Sequence, residues 1–197
     1  MIVSDDIKSK KQDLLQKPVL PQELYFFVFQ TDAGWMSVLG SSNGLLHITL
    51  PLKTEREVYE RFGDRLDKAV HSPDRFEDLV ERFKAYIKGH HVDFPDKLDL
   101  SGATSFQRAV WQAAKRIPYG QTRSYGWIAG QIGKPEAARA VGQALGKNPL
   151  PIIIPCHRVL AGDGRLGGFT GGLDMKRYLL SLENPEPALF EKQEPSP

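Results

Sequence analysis

A cysteine and a histidine stand side by side in a stiff part of the chain. Cys156 is the only cysteine in 197 residues, and it lies between Pro155 and His157. Cysteine attacks as its thiolate, and a reference pKa of about 8.5 leaves only a few per cent of the thiol ionised at neutral pH. The adjacent imidazole could remove that proton, directly or through a water, which makes the pair a candidate nucleophile and base. The plainer interpretation is a buried, inert cysteine.

The residues before this pair predict how it is held. Residues 152–154 are all isoleucine, and such a short β-branched run predicts a buried strand. Pro155 ends the run, because proline fixes φ and has no N–H to give to a sheet. We therefore expect Cys156 and His157 at the abrupt end of a buried strand.

The tetrapeptide at 155–158, Pro-Cys-His-Arg, resembles the active-site motif of the O6-alkylguanine-DNA alkyltransferases, a family of DNA repair proteins. The similarity extends from about Phe106 to Glu183, with Arg139 and Asn148 in register. By this resemblance, Cys156 would take the alkyl group from O6-alkylguanine, and from O4-alkylthymine, in double-stranded DNA without any cofactor. The sulfur would keep the group as a thioether that no neighbouring group can hydrolyse, so each molecule would act once.

The resemblance also implies roles for single residues around the cysteine. Glu183 would orient His157 and stabilise its cation, as a carboxylate does in such triads. Tyr125 would help to rotate the nucleotide out and donate to guanine N3, while Thr170 would donate to O6 through its backbone N–H and its hydroxyl. The other residues implied for the substrate pocket are Asn148, Val159, Gly168 and Phe169. Without the motif, Glu183 is a solvated carboxylate, Tyr125 an ordinary half-buried aromatic and Asn148 a helix C-cap.

A helix of small residues is the second candidate for function. The segment 137–144 carries alanine, valine and glycine around one long cation, Arg139, so its backbone can closely approach another surface. In the family that the chain resembles, the matching helix lies in the minor groove, and the matching arginine enters the duplex where the target nucleotide leaves. Ala138 and Gly142 would then face the groove, which offers little base-specific information. Candidate phosphate contacts are Arg123, Lys134 and Lys147.

Charge is distributed unevenly along the chain, which carries a net charge of only +2. Residues 1–100 hold 14 basic and 17 acidic residues, whereas residues 101–183 hold 11 basic and 4 acidic ones. A basic half on a nearly neutral chain indicates a local surface for a polyanion, although a solvated basic surface has the same composition.

The pattern of elements predicts an α+β chain with two domains. Candidate strands at 24–30, 35–39 and 45–50, with helices opened by Thr54 and by Ser72-Pro73, form an N-terminal α/β unit at 21–95. By resemblance, this unit is a ribonuclease-H-like scaffold. After a linker at 96–102, helices capped by Ser105 and Ser124, a third beginning at Pro135 and a last one capped by Asp174 form a winged-helix or helix-turn-helix unit at 103–184. Segments 1–20 and 185–197 are predicted to be poorly ordered.

Composition restricts the remaining possibilities. No apolar run approaches the roughly 20 residues of a membrane helix, so we expect no membrane partner. A lone cysteine excludes an internal disulfide and a multi-cysteine zinc site, and a free thiol favours a reducing cytoplasm, with association to a nucleoid or nucleus on DNA. His90 and His91 are expected to be exposed rather than metal-bound. We expect a monomer.

Other functions compete with alkyl transfer. A cysteine hydrolase would use Cys156 and His157, but most such enzymes bring the two from distant positions, and the basic helical unit would be unexplained. A winged-helix regulator should carry several long polar side chains on its recognition helix, where this chain has alanine and glycine. A third possibility, the non-repairing alkyltransferase-like branch, lacks the cysteine that this chain has.

Overall fold

The computed structural model describes residues 23–63 and 68–184. The expectations for segments 1–20 and 185–197 therefore lie outside the described residues. Within the described part, the α+β class is confirmed, with one sheet in the N-terminal half and helices distributed over both halves.

A four-stranded sheet forms the N-terminal half. Its strands are β1 (Leu24–Thr31), β2 (Gly34–Ser41), β3 (Gly44–Ile48) and β4 (Ala69–His71), in the order β3-β2-β1-β4. β1, β2 and β3 are antiparallel neighbours, whereas β4 lies parallel to β1. The predicted strands and the β2–β3 hairpin are confirmed, although β3 ends at Ile48, two residues earlier than expected.

Two helices accompany this sheet, α1 (Glu55–Phe62) and α2 (Glu77–Ile87). Thr54 caps α1 by accepting the N–H of Glu57 at 3.2 Å, as predicted, but the Glu57 carboxylate accepts the N–H of Lys53 at 3.2 Å, so the capping box is only half formed. The apolar face of α2 packs on the sheet, where the rings of Phe83 and Phe29 lie 6.1 Å apart.

As far as residue 184, the C-terminal half contains four α-helices, α3 (Ser105–Lys115), α4 (Tyr125–Gln131), α5 (Ala138–Gly146) and α6 (Leu173–Glu183). Ser124 caps α4 as predicted, by accepting the N–H of Trp127 at 3.0 Å. Two predicted caps are wrong. Thr104, not Ser105, caps α3, because its hydroxyl completes a capping box with Gln107. Asp174 lies inside the first turn of α6 and pairs with Arg177, so Gly172 at φ 85° precedes the helix instead.

The predicted buried strand at 152–154 is wrong in form, although its burial is confirmed. The isoleucines form a turn that closes when Ile154 N–H donates to Leu150 O at 2.8 Å, and Ile152 takes a φ of 73°. Prolines on both sides of the run deprive it of two ladder donors, which favours a turn. A β-branched residue in this left-handed region costs about 1–3 kcal/mol, so the packing around it must hold the turn. Two short strands, β5 (Arg123–Ser124) and β6 (Val159–Leu160), pair in parallel beside it.

The two halves share one apolar core and are joined by direct backbone contacts. Residues 97–99 run along the edge of β3, where Leu45 N–H donates to Lys97 O and Asp99 N–H to Leu45 O, both at 2.8 Å. Ile48 N–H donates to Pro149 O at 2.9 Å, next to the turn at 152–154. The N-terminal half is therefore fixed against the segment that carries Cys156. Nowhere in residues 23–63 and 68–184 is a helix long and apolar enough to cross a membrane.

Candidate active site

Cys156 begins a short 3-10 turn, Cys156–Arg158, directly after the isoleucine turn. Its side chain is largely buried, and its Sγ accepts a hydrogen bond from Asn148 Nδ2 at 3.2 Å. The same amide donates to Ile154 O at 2.8 Å and accepts the N–H of Leu150 at 3.0 Å. Asn148 thus ties the end of α5 to both the turn and the thiol. The C-cap of α5 is Lys147, so Asn148 lies one residue beyond the position that the plainer interpretation gives it.

Burial raises the pKa of the Cys156 thiol. The hydrogen bond from Asn148, the charge of Lys176 and backbone N–H groups act in the opposite direction but do not outweigh it. The thiol is therefore protonated at neutral pH, and a reaction through the thiolate requires a base.

Lys176 places an ammonium group near Cys156, although no sequence pattern predicted it as a site residue. It is fully buried on α6, and its Nζ donates to Val159 O at 2.6 Å and to Leu166 O. Burial lowers its pKa to about 8, with the Cys156 thiolate acting in the other direction. Its position three residues before Leu179 places it on the inward face of α6, a spacing visible in the sequence.

His157 is fully buried and bonded to a carboxylate on one side only. Its Nε2 lies 2.7 Å from Glu183 Oε1, whereas its Nδ1 has no hydrogen-bond partner among the described residues. Burial alone would raise the pKa of Glu183, but the hydrogen bonds from His157 and Arg158, with the charge of Arg158, hold it at about 2. Because the carboxylate is ionised and can only accept, we assign the ring hydrogen to Nε2 and the free lone pair to Nδ1. Burial lowers the pKa of His157, against the attraction of Glu183, so the resting imidazole is neutral.

Glu183 is buried rather than solvated, which overturns the plainer interpretation of this residue. Arg158 forms a two-pronged pair with it, Nε to Oε2 at 2.8 Å and Nη2 to Oε1 at 2.9 Å, and its Nη1 donates to Ile117 O at 2.7 Å. Gly120 N–H donates to Oε2 at 3.2 Å, and the hydroxyl of Tyr86 donates to Oε1 at 2.7 Å. No sequence pattern indicated a partner for Glu183 in the N-terminal half. The signal for Tyr86 was its spacing of three residues after Phe83 on the buried face of α2.

A cleft of about 770 Å³ opens beside the thiol. Its volume lies in the range of about 300–1,000 Å³ that is usual for small-molecule pockets. The predicted site residues that line it are Cys156, Tyr125, Ala138, Arg139, Gly142, Gly168, Phe169 and Thr170. Val159 is fully buried in β6 and lies outside the lining.

Contacts of Tyr125 on α4 with α5 and with the loop at 167–170 shape the wall of this cleft. A Cβ added to Gly142 would lie 3.7 Å from the Tyr125 ring, and one added to Gly167 would lie 2.8 Å from the Tyr125 hydroxyl. That hydroxyl donates to Gly168 O at 3.3 Å, and the Thr170 hydroxyl donates to Gly146 O at 2.9 Å. Arg139 is exposed at the rim.

The three candidate phosphate contacts lie outside the cleft lining. Arg123 donates to Thr122 O at 2.7 Å and to Gln121 Oε1 at 2.8 Å, so its guanidinium is held locally. Lys134 is exposed, with its ammonium 5.5 Å from the centre of the Phe106 ring, and Lys147 is exposed at the C-terminal end of α5. His90 and His91 are exposed as expected, and the described residues contain no group of three or more side chains able to hold a metal ion.

Known proteins with similar sequences share this site region. Residues 105–185 match a family model described as the DNA-binding domain of 6-O-methylguanine DNA methyltransferase. A methylated-DNA–protein-cysteine methyltransferase of Methanosarcina acetivorans is 39% identical over 160 residues, which cover 81% of this chain and 98% of that protein. A protein of the same name from Mycolicibacterium paratuberculosis is 54% identical over 112 residues, 57% of this chain and 67% of that protein.

Solved structures extend the similarity to the fold. The OGT of Mycobacterium tuberculosis, crystallised in complex with DNA, superimposes with a TM-score of 0.70 at 40% identity, covering 82% of this chain and 93% of that one. An O6-methylguanine-DNA methyltransferase of Pyrococcus kodakaraensis gives a TM-score of 0.64 at 26% identity, covering 82% and 99%. Since 39% identity spans nearly all of the Methanosarcina protein and four fifths of this chain, the chain belongs to the methylated-DNA–protein-cysteine methyltransferase family.

Proposed function

We propose that the chain repairs DNA by moving the alkyl group of O6-alkylguanine onto Cys156 in one irreversible step. Family membership makes it a DNA-binding methyltransferase whose acceptor is a cysteine, and Cys156 is the only cysteine in the sequence. The sulfur forms a bond to the alkyl carbon as the carbon–oxygen bond at guanine O6 breaks. The electron pair goes to the guanine, which is protonated as it leaves.

The observation that carries this proposal is the buried pair that His157, next to Cys156 in the chain, forms with Glu183. One ring nitrogen is held by an ionised carboxylate, and the other is a buried lone pair without a partner in the described residues. A water bridging this nitrogen and the thiol would carry the proton of Cys156 to His157. The charge of Lys176 then favours the thiolate that remains.

The leaving guanine needs donors, and the cleft offers two. Tyr125 would donate to N3 after leaving its contact with Gly168 O, which is long at 3.3 Å. Thr170 would serve O6 through its backbone N–H, because its hydroxyl hydrogen is used at Gly146 O. Phe169 and Gly168 complete the proposed base pocket, and the same pocket would admit O4-alkylthymine.

We propose further that α5 lies in the minor groove of the DNA and that the Arg139 side chain enters the duplex where the target nucleotide leaves. Arg139 stands exposed at the rim of the cleft beside the small residues Ala138 and Gly142. A base must leave the duplex for Cys156 to reach it, and an inserted side chain offsets part of that cost. Arg123, Lys134 and Lys147 would contribute phosphate contacts, and the chain would bind as a monomer.

Finer points of architecture belong to the same proposal. The sheet order β3-β2-β1-β4 supports a ribonuclease-H-like scaffold at 21–95, and α4 followed by α5 supports a helix-turn-helix with a glycine-rich wing at 103–184. Residues 96–102 would be the linker. The free thiol supports a reducing cytoplasm as the site of action.

A labelled duplex tests the reaction. Duplex DNA with a radioactive methyl group on guanine O6 should transfer one label per protein molecule and then stop. Cys156→Ala should bind the same duplex with unchanged affinity and accept no label. Sustained multiple turnover, as in a cysteine hydrolase, or labelling of the alanine variant would contradict the proposal.

A further inference from the structure

Tyr86, from the N-terminal half, contacts the buried pair of His157 and Glu183, which forms the proposed proton relay. Tyr86 lies on α2 with only 1% of its surface exposed, and its hydroxyl oxygen is 2.7 Å from Glu183 Oε1 and 3.3 Å from His157 Nε2. Burial, followed by the charge of Glu183, raises the pKa of Tyr86, so the phenol stays neutral and keeps its hydrogen. The shorter distance and the ionised acceptor direct that hydrogen to Glu183.

Three donors meet on Oε1 of Glu183, the oxygen that also holds His157. They are the Tyr86 hydroxyl, His157 Nε2 and Arg158 Nη2, while Arg158 Nε and Gly120 N–H bond to Oε2. A carboxylate oxygen that already receives hydrogen bonds holds less negative charge for a further partner. Tyr86 therefore competes with His157 for the charge on one atom.

The charged and titratable groups around His157 come from four parts of the fold. They are Glu183 and Lys176 from α6, Cys156 and Arg158 from its own turn, Tyr86 from α2, and Tyr119 from the loop after α3, whose ring lies 6.3 Å from that of Tyr86. Lys176 and Arg158 disfavour the imidazolium and Glu183 favours it. Tyr86 is neutral, and it bonds directly to Glu183, the group that favours the imidazolium.

We propose that Tyr86 is a positioning residue for alkyl transfer, which holds the Glu183 carboxylate and limits the proton affinity of His157. The N-terminal half would thereby set when the base is free to take the thiol proton, rather than serving as a scaffold alone. This inference rests on the proposed relay through His157 and Glu183. A neutral resting imidazole is required, because a protonated His157 cannot accept a proton from Cys156.

The test compares Tyr86→Phe with a matched loss of a hydroxyl at the same interface. Tyr119→Phe is the control, since the Tyr119 hydroxyl donates to Gly89 O and Leu182 O, both at 3.0 Å, and does not bond Glu183. Glu183 keeps four donors in Tyr86→Phe, so the fold should persist, which thermal melting checks. A third protein carries 3-fluorotyrosine at position 86, whose more acidic phenol is a stronger donor.

Two readouts follow each protein in its full-length form. The first is the NMR titration of 13C-labelled histidine, with the His157 signal assigned by its loss in His157→Gln. The second is the pH profile of the first-order reaction of Cys156 with O6-benzylguanine. In Tyr86→Phe, we expect the pKa of His157 and the acidic limb of the profile to rise together by about one unit, the size expected for losing one charge-assisted hydrogen bond.

The outcomes separate a positioning role from a structural one. The 3-fluorotyrosine protein should shift both readouts in the opposite direction, and Tyr119→Phe should shift neither. A Tyr86→Phe protein that reacts more slowly at every pH, with an unmoved limb and an unmoved His157 titration, would overturn the inference. The NMR titration needs no reaction, so it decides whether Tyr86 limits the proton affinity of His157 even if the wild-type chain fails to react and the proposed function is refuted.

Discussion

At the scale of residues, the chemistry depends on how a buried proton can move. A thiol whose pKa is raised by burial cannot ionise alone at neutral pH, and a neutral imidazole with one free nitrogen can take its proton. In the proposed relay, Glu183 would assist that transfer, because its carboxylate stays ionised and would face the cation that forms. Replacing the carboxylate therefore tests the relay directly.

Glu183→Gln should slow alkyl transfer by roughly 100-fold or more, the scale of general base catalysis, while leaving the affinity for damaged DNA nearly unchanged. Single-turnover rates at saturating DNA and equilibrium binding measure the two quantities separately. Asp174→Asn is the control, because it removes an exposed carboxylate from the same helix. A normal rate in Glu183→Gln would remove Glu183 from the mechanism.

The buried pair should also make the fold sensitive to acid. The pKa of Glu183 is held at about 2, below its ordinary 4.5, so its contribution to stability is complete above pH 4.5 and is lost as the pH falls through about 2. This contribution is on the order of 3 kcal/mol, because each pKa unit corresponds to about 1.4 kcal/mol. The pKa of His157 is lowered too, so further stability is lost as the pH falls below 6.5, the ordinary pKa of histidine.

Urea unfolding between pH 7 and pH 2.5 measures this effect. The free energy of unfolding should fall toward acid, and Glu183→Gln should lose the part of the slope that lies below pH 4.5. A variant with the same slope as the wild-type chain would show that other carboxylates cause the acid sensitivity.

The sequence indicated the candidate reacting residues better than their surroundings. Cys156 and His157 are neighbours in one motif, and the resemblance to a known family adds Glu183. Lys176 and Tyr86 carry no motif. They lie at the site because α6 and α2 bury the helix faces that carry them. From sequence alone, a lysine on a helix is expected at the surface and a tyrosine in the core or at the surface, so neither indicates a site before the packing is known.

At the scale of elements, caps and periodicity predicted most helices and strands. The start of α4 after Ser124 is confirmed, whereas α3 begins one residue earlier than expected because Thr104 and Ser105 are adjacent candidates. Three isoleucines in a row indicate burial, but they cannot distinguish a strand from a turn when packing overrides local preference. Cys156 follows that turn, so the wrong prediction concerns the backbone that positions the thiol.

Helix α5 is the element whose function is most open to test. Trp111 Nε1 donates to Ala144 O at 2.9 Å, which anchors α5 on α3 and leaves Arg139 exposed at the rim of the cleft. Arg139→Ala should slow transfer from duplex DNA far more than transfer from free O6-benzylguanine, which needs no flipping. Arg177→Ala, an exposed arginine paired with Asp174 on α6, should change neither rate.

The deciding quantity is the first-order transfer rate with the Arg139→Ala protein fully bound to duplex. A phosphate contact would weaken binding and reduce the salt slope by about one, without changing that rate. A rate equal to the wild-type value would therefore contradict the insertion of Arg139 into the duplex and indicate that Arg139 only contacts the DNA phosphate backbone.

At the scale of the whole molecule, both halves contribute to the candidate site. The N-terminal half places Tyr86 against Glu183 and holds Pro149 through Ile48, while the C-terminal half carries Cys156, the proposed nucleophile, and the cleft. The sequence predicted the division but not this contact, because pairing between residues 97 positions apart leaves no local pattern.

The central claim is that Cys156 itself is the final acceptor of the alkyl group. Intact mass and peptide mapping after incubation with duplex DNA containing O6-methylguanine test it most directly. We predict a gain of about 14 Da per chain, one methyl in place of one hydrogen, located on Cys156, with one guanine restored for each chain modified. A chain of unchanged mass beside repaired DNA, or a methyl group on any other residue, would contradict the account.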